Sequence, residues 1–199
     1  MSYVIVGLGN PGQEYVDTRH NTGRIILESL AQKSGVQLSE YKKLHALVAE
    51  GVVGKEKVLF IAPNTFMNRS GASVGPKVKN ARQAKELIVI HDDLDLPLGS
   101  LKISYNRGSG GHRGVESIVK AIKTKEFIRF RIGISSHTAG GKLKKPHGDG
   151  AVNSYIIGKF KPAELIVLKK VAKTVAEAVE MILADRASGL ARAMTTFNV

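Results

Sequence analysis

The chain has 199 residues, a formal net charge of +13 and no cysteine, which excludes a disulfide framework, a cysteine-ligated zinc site and a thiol nucleophile. This length leads us to expect one domain, residues 1–199. No apolar run approaches the roughly 18 residues of a membrane span, and the N-terminus lacks the basic start of a secretory signal, so a cytoplasmic protein is expected. Residues 99–161 carry 13 Lys and Arg against 3 Asp and Glu, the remainder 17 against 14. That concentration points to a binding face for a polyanion, nucleic acid first.

In chain order, Tyr3–Gly7 reads as a buried strand running into the loop GNPGQEYVDTRHNTG. Ile25, Ile26, Leu27, Leu30 and Ala31 recur at helical spacing, with Asn21 or Thr22 as N-cap and Gly35 as the stop. Leu44–Val53 and Lys57–Ala62 read as strands joined at a Gly54 turn. Between Asn68 and Lys79, Gly71, Gly75 and Pro76 weaken any helix. Leu87–His91 is a continuous apolar run, the mark of a central strand, and Leu101–Tyr105 alternates like a half-buried one. The glycine-rich Gly108–Gly114 leads into a helix bearing Val115, Ile118, Val119 and Ile122. Phe127–Ile134 alternates as a strand, and residues 137–150 read as a basic, flexible loop. Pro162–Leu183 is a long helix, and a short one follows Ser188. Interspersed strands and helices, with no linker or repeat, make the class α/β: a single globular domain with a twisted mixed sheet and helices on both faces.

Three motifs bear on chemistry. Gly7-Leu8-Gly9-Asn10-Pro11-Gly12 spells the dinucleotide fingerprint, but that motif needs a helix opening inside the glycine turn, and here the helix begins near Asn21. Gly71-Ala72-Ser73-Val74-Gly75 spells a nucleophile elbow, with Asp92 and His112 following in hydrolase order. An elbow joins a strand directly to a helix, yet Ser73 lies eleven residues past Ala62. The third signal is a gathering of polar residues where strands end: Asn10, His20 with Asn21, Asn64 with Asn68, and Asp92, Asp93 and Asp95, with His112 in the glycine-rich stretch. Ligands of open α/β sheets bind at the carboxyl ends of strands. An ester hydrolase without a Ser or Cys nucleophile needs a base for water. His20 with Asp92 as its orienting acid suits that task, and amides can hold the oxyanion. Asp92, Asp93 and Asp95 with His91 also read as a Mg²⁺ site.

The segments VGLGNPGQEYVDTRHNTG, APNTFMNRSG, HDDLDLPLG, GSGGHRG, FRIGI and AMTTFN, in that order from residue 4 to residue 197, together resemble the bacterial peptidyl-tRNA hydrolases. The resemblance implies hydrolysis of the ester between a peptide and the 3′ ribose of tRNA, which recycles tRNA after premature ribosomal drop-off. It also implies a monomer whose partner is peptidyl-tRNA, with no metal and no organic cofactor. Carried over by motif, His20 is the general base and Asp92 its orienting acid. Asn10 and Asn68 hold the substrate near the ester, Tyr15 meets the tRNA end, His112 is a cleft residue, and Arg131 grips the tRNA 5′ phosphate. Two positions depart from the family. Arg113 stands where Asn is usual, and Ser104 stands where a second phosphate-binding cation is usual. Lys102, two residues earlier on the same strand face, is the expected substitute. A non-catalytic RNA-binding relative of the same fold is the alternative; retention of Asn10, His20, Asn68 and Asp92 favours the enzyme.

Overall fold

The computed structural model describes residues 2–137 and 142–198. Among them eight strands form the sheet: β1 (Tyr3–Gly7), β2 (Ser39–Tyr41), β3 (Ala46–Val53), β4 (Glu56–Pro63), β5 (Leu87–Pro97), β6 (Leu101–Tyr105), β7 (Ile128–His137) and β8 (Leu143–Lys144). The order is β2-β3-β4-β1-β5-β7-β6, with β8 paired to β7. β4, β1, β5 and β7 are parallel neighbours. The pairs β2–β3, β3–β4, β6–β7 and β7–β8 are antiparallel, which makes the sheet mixed. The helices are α1 (Thr22–Lys33), α2 (Gly71–Val74), α3 (Ala81–Ala84), α4 (Arg113–Ile122), α5 (Asp149–Ile157), α6 (Pro162–Ala184) and α7 (Gly189–Phe197).

Successive residues of β1 enter opposite cores. Tyr3 and Ile5 pack with residues of α1, α6 and α7, while Val4 and Val6 pack with residues of α2, α3 and α4. Helices therefore cover both faces, and the central strands read as unbroken apolar runs because neither face meets water. Each fully buried Ile, Val or Phe contributes about 1.5–3 kcal/mol of transfer free energy. α6 opens with Pro162 at its first position, where the missing N–H is harmless, and buries Leu168, Val171, Val175, Val179 and Ile182.

The first helix sits unusually close to the sheet. A Cβ on Gly23 would lie 2.1 Å from the Ile90 carbonyl oxygen, and one on Gly7 2.3 Å from the Gly23 oxygen. Leu8 N–H donates to Ile90 O at 3.0 Å and Arg24 N–H to Leu8 O at 2.9 Å. The start of α1 is thereby pinned between the end of β1 and the interior of β5. Gly7 and Gly9 of the GLGNPG segment serve a helix-on-sheet crossing, and the helix opens at Thr22, outside the glycine turn.

The structure differs from the sequence reading in several elements. β5 continues from His91 to Pro97, so Asp92, Asp93 and Asp95 lie within the strand. The weakened stretch after Asn68 holds only a 3-10 turn, Met67–Arg69, and the four-residue α2. A Cβ on Gly71 would lie 2.1 Å from Ser117 O, so this glycine lets α2 approach α4. β2, α3 and α5 are additional elements. Of the loop expected at 137–150, residues 138–141 lie outside the described residues, His137 ends β7, β8 follows, and α5 starts at Asp149.

Candidate active site

Asn10 follows β1, Met67 and Asn68 follow β4, Asp92 lies on β5, and His112 precedes α4. These groups converge with His20 on a cleft of about 510 Å³, within the size range of small-ligand sites. The 3-10 turn Arg19–Asn21 presents His20, and the close seat of α1 brings that turn over Asp92 in the middle of β5.

Asp92 is the centre of the site. His20 Nδ1 lies 3.0 Å from both Asp92 oxygens, and His112 Nε2 lies 3.0 Å from Oδ1. The carboxylate can only accept, so each ring donates a proton to it. His112 Nδ1 then accepts from the N–H groups of Gly114 (3.2 Å) and Val115 (3.4 Å), as the N-cap of α4. Both nitrogens of His112 are committed. His20 Nε2 has no hydrogen-bond partner among the described residues, and the ring lines the cleft. Of the two rings on Asp92, only His20 keeps a basic lone pair at the cleft; His91 Nε2 also lacks a partner, but that ring is buried.

The electrostatics follow from this packing. Burial pushes the His20 pKa down, but the charge and hydrogen bond of Asp92 outweigh it and hold the ring above its usual value, with Arg113 pulling it back. Burial pushes the Asp92 carboxyl up, and the two imidazoles overcome that and hold it well below the carboxylate range. His91 is buried beside them. Its Nδ1 donates to the Asp92 backbone oxygen at 2.8 Å, and burial, then His112, push its pKa well down.

Asn10 is locked from three directions. Asn21 Oδ1 accepts from Asn10 N–H at 2.8 Å, Asn21 Nδ2 donates to Asn10 O at 3.0 Å, and Met67 N–H donates to Asn10 Oδ1 at 2.8 Å. The Asn10 amide oxygen is therefore occupied, and its Nδ2 remains as a donor. Asn21 does not cap α1 with its side chain; it frames Asn10 instead, a role that sequence spacing did not reveal. Asn68 is exposed on its 3-10 turn and lines the cleft, as does exposed Arg113, the first residue of α4. Tyr15 does not line the cleft. Its ring meets Phe66 edge-on at 6.4 Å, and Phe66, 57% exposed, forms the rim. Asn64 is exposed and does not line the cleft.

The expected phosphate residues lie next to this cleft on the β7–β6 pair. Arg131 stands opposite Lys102, and Arg129 opposite Ser104. Arg131 Nε donates to Asp93 Oδ2 at 2.6 Å. Lys102 is exposed, whereas Ser104 is buried and its Oγ has no partner. Arg129 is only 3% exposed, and burial, then the Arg131 charge, lower its pKa. An arginine buried in a strand that reads as alternating was not foreseen.

Two other readings fail on geometry. Asp93 goes to Arg131, Asp95 goes to Lys145 Nζ at 2.6 Å, and His91 turns to a carbonyl, so these residues do not converge with Asp92 as a Mg²⁺ site. The groups close enough to share an ion are His20, Asp92 and His112, and these already satisfy one another by hydrogen bonds. Ser73 is fully buried and its hydroxyl donates to His45 O at 3.0 Å, so it is no nucleophile.

Comparison with known proteins points to one family. The sequence profile described as peptidyl-tRNA hydrolase matches residues 4–199. The peptidyl-tRNA hydrolase of Carboxydothermus hydrogenoformans is 38% identical over 197 residues, covering 98% of each chain. That of Thermodesulfovibrio yellowstonii is 40% identical over 199 residues, again covering 98% of each. The crystal structure of peptidyl-tRNA hydrolase from Acinetobacter baumannii superposes with a TM-score of 0.84 at 32% identity, covering 98% of this chain and 95% of that one.

Proposed function

The chain belongs to the peptidyl-tRNA hydrolase family, and we propose that it cleaves the ester between peptide and tRNA 3′ ribose with water activated by His20. The observation that carries this reading is the asymmetry of the two imidazoles on Asp92: only His20 keeps a free ring nitrogen at the cleft. Asp92 takes the Nδ1 proton of His20 as a hydrogen bond and fixes the tautomer with Nε2 unprotonated. Nε2 removes a proton from water as that water attacks the ester carbonyl, and Asp92 stabilises the imidazolium. The same proton then passes to the departing ribose oxygen. Nδ2 of Asn10 and the amide of Asn68 donate to the developing oxyanion. Peptide acid and free tRNA leave.

Further out, Tyr15 meets the tRNA end, Arg131 and Lys102 hold the 5′ phosphate, and His112 holds Asp92. The reading needs no metal or organic cofactor. It includes action as one domain over residues 1–199, as a monomer in the cytoplasm. A non-catalytic RNA-binding role is not favoured, because the chain keeps the His20–Asp92 pair and its relatives are named as hydrolases.

The test is release of tRNA from labelled N-acetylaminoacyl-tRNA by the purified protein. His20→Ala should lose about 10²–10⁴-fold, the usual contribution of a general base, with tRNA affinity kept. Hydrolysis by the unaltered protein should survive EDTA. A variant keeping a third of the activity would remove His20 from the role, and loss to EDTA restored by Mg²⁺ would put a metal in the mechanism.

A further inference from the structure

Arg19 immediately precedes the base, and the junction of α5 and α6 encloses it. Its Nη1 donates to the carbonyls of Gly158 (3.2 Å) and Lys159 (3.1 Å), and its Nη2 donates to the two oxygens of Glu164 (3.1 and 3.0 Å). Its guanidinium carbon lies 4.7 Å from the Tyr155 ring centroid and 5.3 Å from that of Phe160. The main chain joins in: Arg19 N–H donates to Gly158 O at 3.1 Å, and Phe160 N–H to Asp17 O at 2.8 Å. An exposed ion pair contributes little. This one is forked, flanked by two rings, and its arginine side chain is 11% exposed.

The element tied down in this way is otherwise thinly held. α5 has no buried residue. Tyr155 Oη donates to Ile134 O at 2.8 Å, and Tyr155 and Ile156 pack partly against the core. Yet Val152, Ile156 and Ile157 line the cleft, where they give it an apolar wall. The cation just past the C-terminal end of α5 also suits the helix dipole.

We propose that Arg19 is a positioning residue that fixes the apolar wall formed by α5 to the turn carrying His20, so that a peptide side chain seated on the wall is held at a set distance from the base. The proposal rests on the role of His20 given above. It makes Arg19 part of substrate selection: the wall favours esters of large apolar residues over glycine, and that preference depends on the clasp.

Arg19→Gln should be measured for kcat and KM on N-acetylphenylalanyl-tRNA and N-acetylglycyl-tRNA, with the pH profile of kcat/KM. A displaced reacting group can cost up to about 10²-fold. We expect a loss of about tenfold on the phenylalanyl ester, carried partly by KM, and a clearly smaller loss on the glycyl ester. The acid limb of the profile should move to lower pH, because His20 leaves Asp92. Arg19→Lys keeps the charge but not the fork and should restore only part of the loss. Glu164→Gln should show a weaker form of the same split, and combined with Arg19→Gln it should add little. Equal losses on both esters with an unmoved acid limb, or no loss per folded molecule, would mean that Arg19 only braces the fold and would overturn the proposal. Should Arg19→Gln fail to fold, Arg19→Lys and Glu164→Gln carry the same comparison. Failure of the His20 assignment is read separately, in the activity of His20→Ala.

Discussion

Two imidazoles donate to Asp92, and the cap of α4 decides which can act. The GSGGHRG segment shows a histidine in a glycine-rich stretch; it does not show that the ring will accept from Gly114 and Val115, because capping depends on where the helix starts. The His20 pKa, raised above 6.5 by Asp92, sets the pH dependence. The base works only when neutral, so hydrolysis should fall as pH drops through a value above 6.5. The effect on stability has the opposite sign. The raised pKa adds stability that is complete below about 6.5 and is lost as pH rises through the folded value. The depressed Asp92 pKa adds stability above the ordinary carboxylate value, which is lost only in strong acid. Arg113 pulls the His20 pKa down, so Arg113→Asn should move the acid limb to higher pH. The single-turnover rate on the plateau should be equal or higher, with weaker tRNA binding and a shallower salt dependence. Collapsed hydrolysis at full affinity would show that the guanidinium supports the chemistry itself.

At the scale of elements, the His20–Asp92 pair depends on the contact between α1 and β5. A Cβ on Gly23 would enter the Ile90 carbonyl, and backbone cannot rotate away as a side chain can. Gly23→Ala should destabilise by about 1–3 kcal/mol or more, the usual cost of overpacking. It should also lower kcat, since α1 follows the turn of His20 and β5 carries Asp92. A urea midpoint and a rate measured on the same preparation check both; a stable, fully active variant would deny the coupling. Most elements were legible from apolar spacing, because β1, β5, α1 and α6 bury a face with the period of their geometry. α5 was not, because it buries no residue and its apolar side chains line a cleft instead of a core. The extension of β5 was hidden by Asp92, Asp93 and Asp95, which read as polar residues past the end of the strand until each is seen to meet its own cation or imidazole. Of the candidate site, the meeting of His20, Asp92, Asn10 and Asn68 at one cleft was legible through motif and chemistry together, and their roles are those proposed above. Asn21, Phe66 and Arg129 were not, since their positions depend on contacts between distant segments.

Over the whole molecule, the basic third of the sequence supplies one edge of the sheet and two helices that border the cleft. Residues 99–161 supply β6, α4, β7, β8 and α5, and β7 and β6 end the strand order. A field gathered on one side steers a polyanion toward the cleft next to it. Affinity for tRNA should fall with salt on a log–log plot. Arg131→Ala should reduce the magnitude of that slope by roughly 0.7–0.9, one contact's worth, and less when the tRNA lacks a 5′ phosphate. A slope near zero for the unaltered protein would mean that the basic edge does not carry binding.

The place of β1 has a consequence for biogenesis. β1 lies in the middle of the sheet, with Ile5 opposite Phe60 on one side and Ile88 on the other, and both partner strands follow it in the chain. Neither partner exists when β1 emerges, and pairings this distant in sequence are slow to form. His20 therefore waits, without its carboxylate, until β5 has been made and docked. A copy of this enzyme whose own translation stops short of His112 lacks the second donor to Asp92 and the helix cap. The protein that clears interrupted synthesis thus acquires its own centre only after synthesis has passed β5 and reached His112.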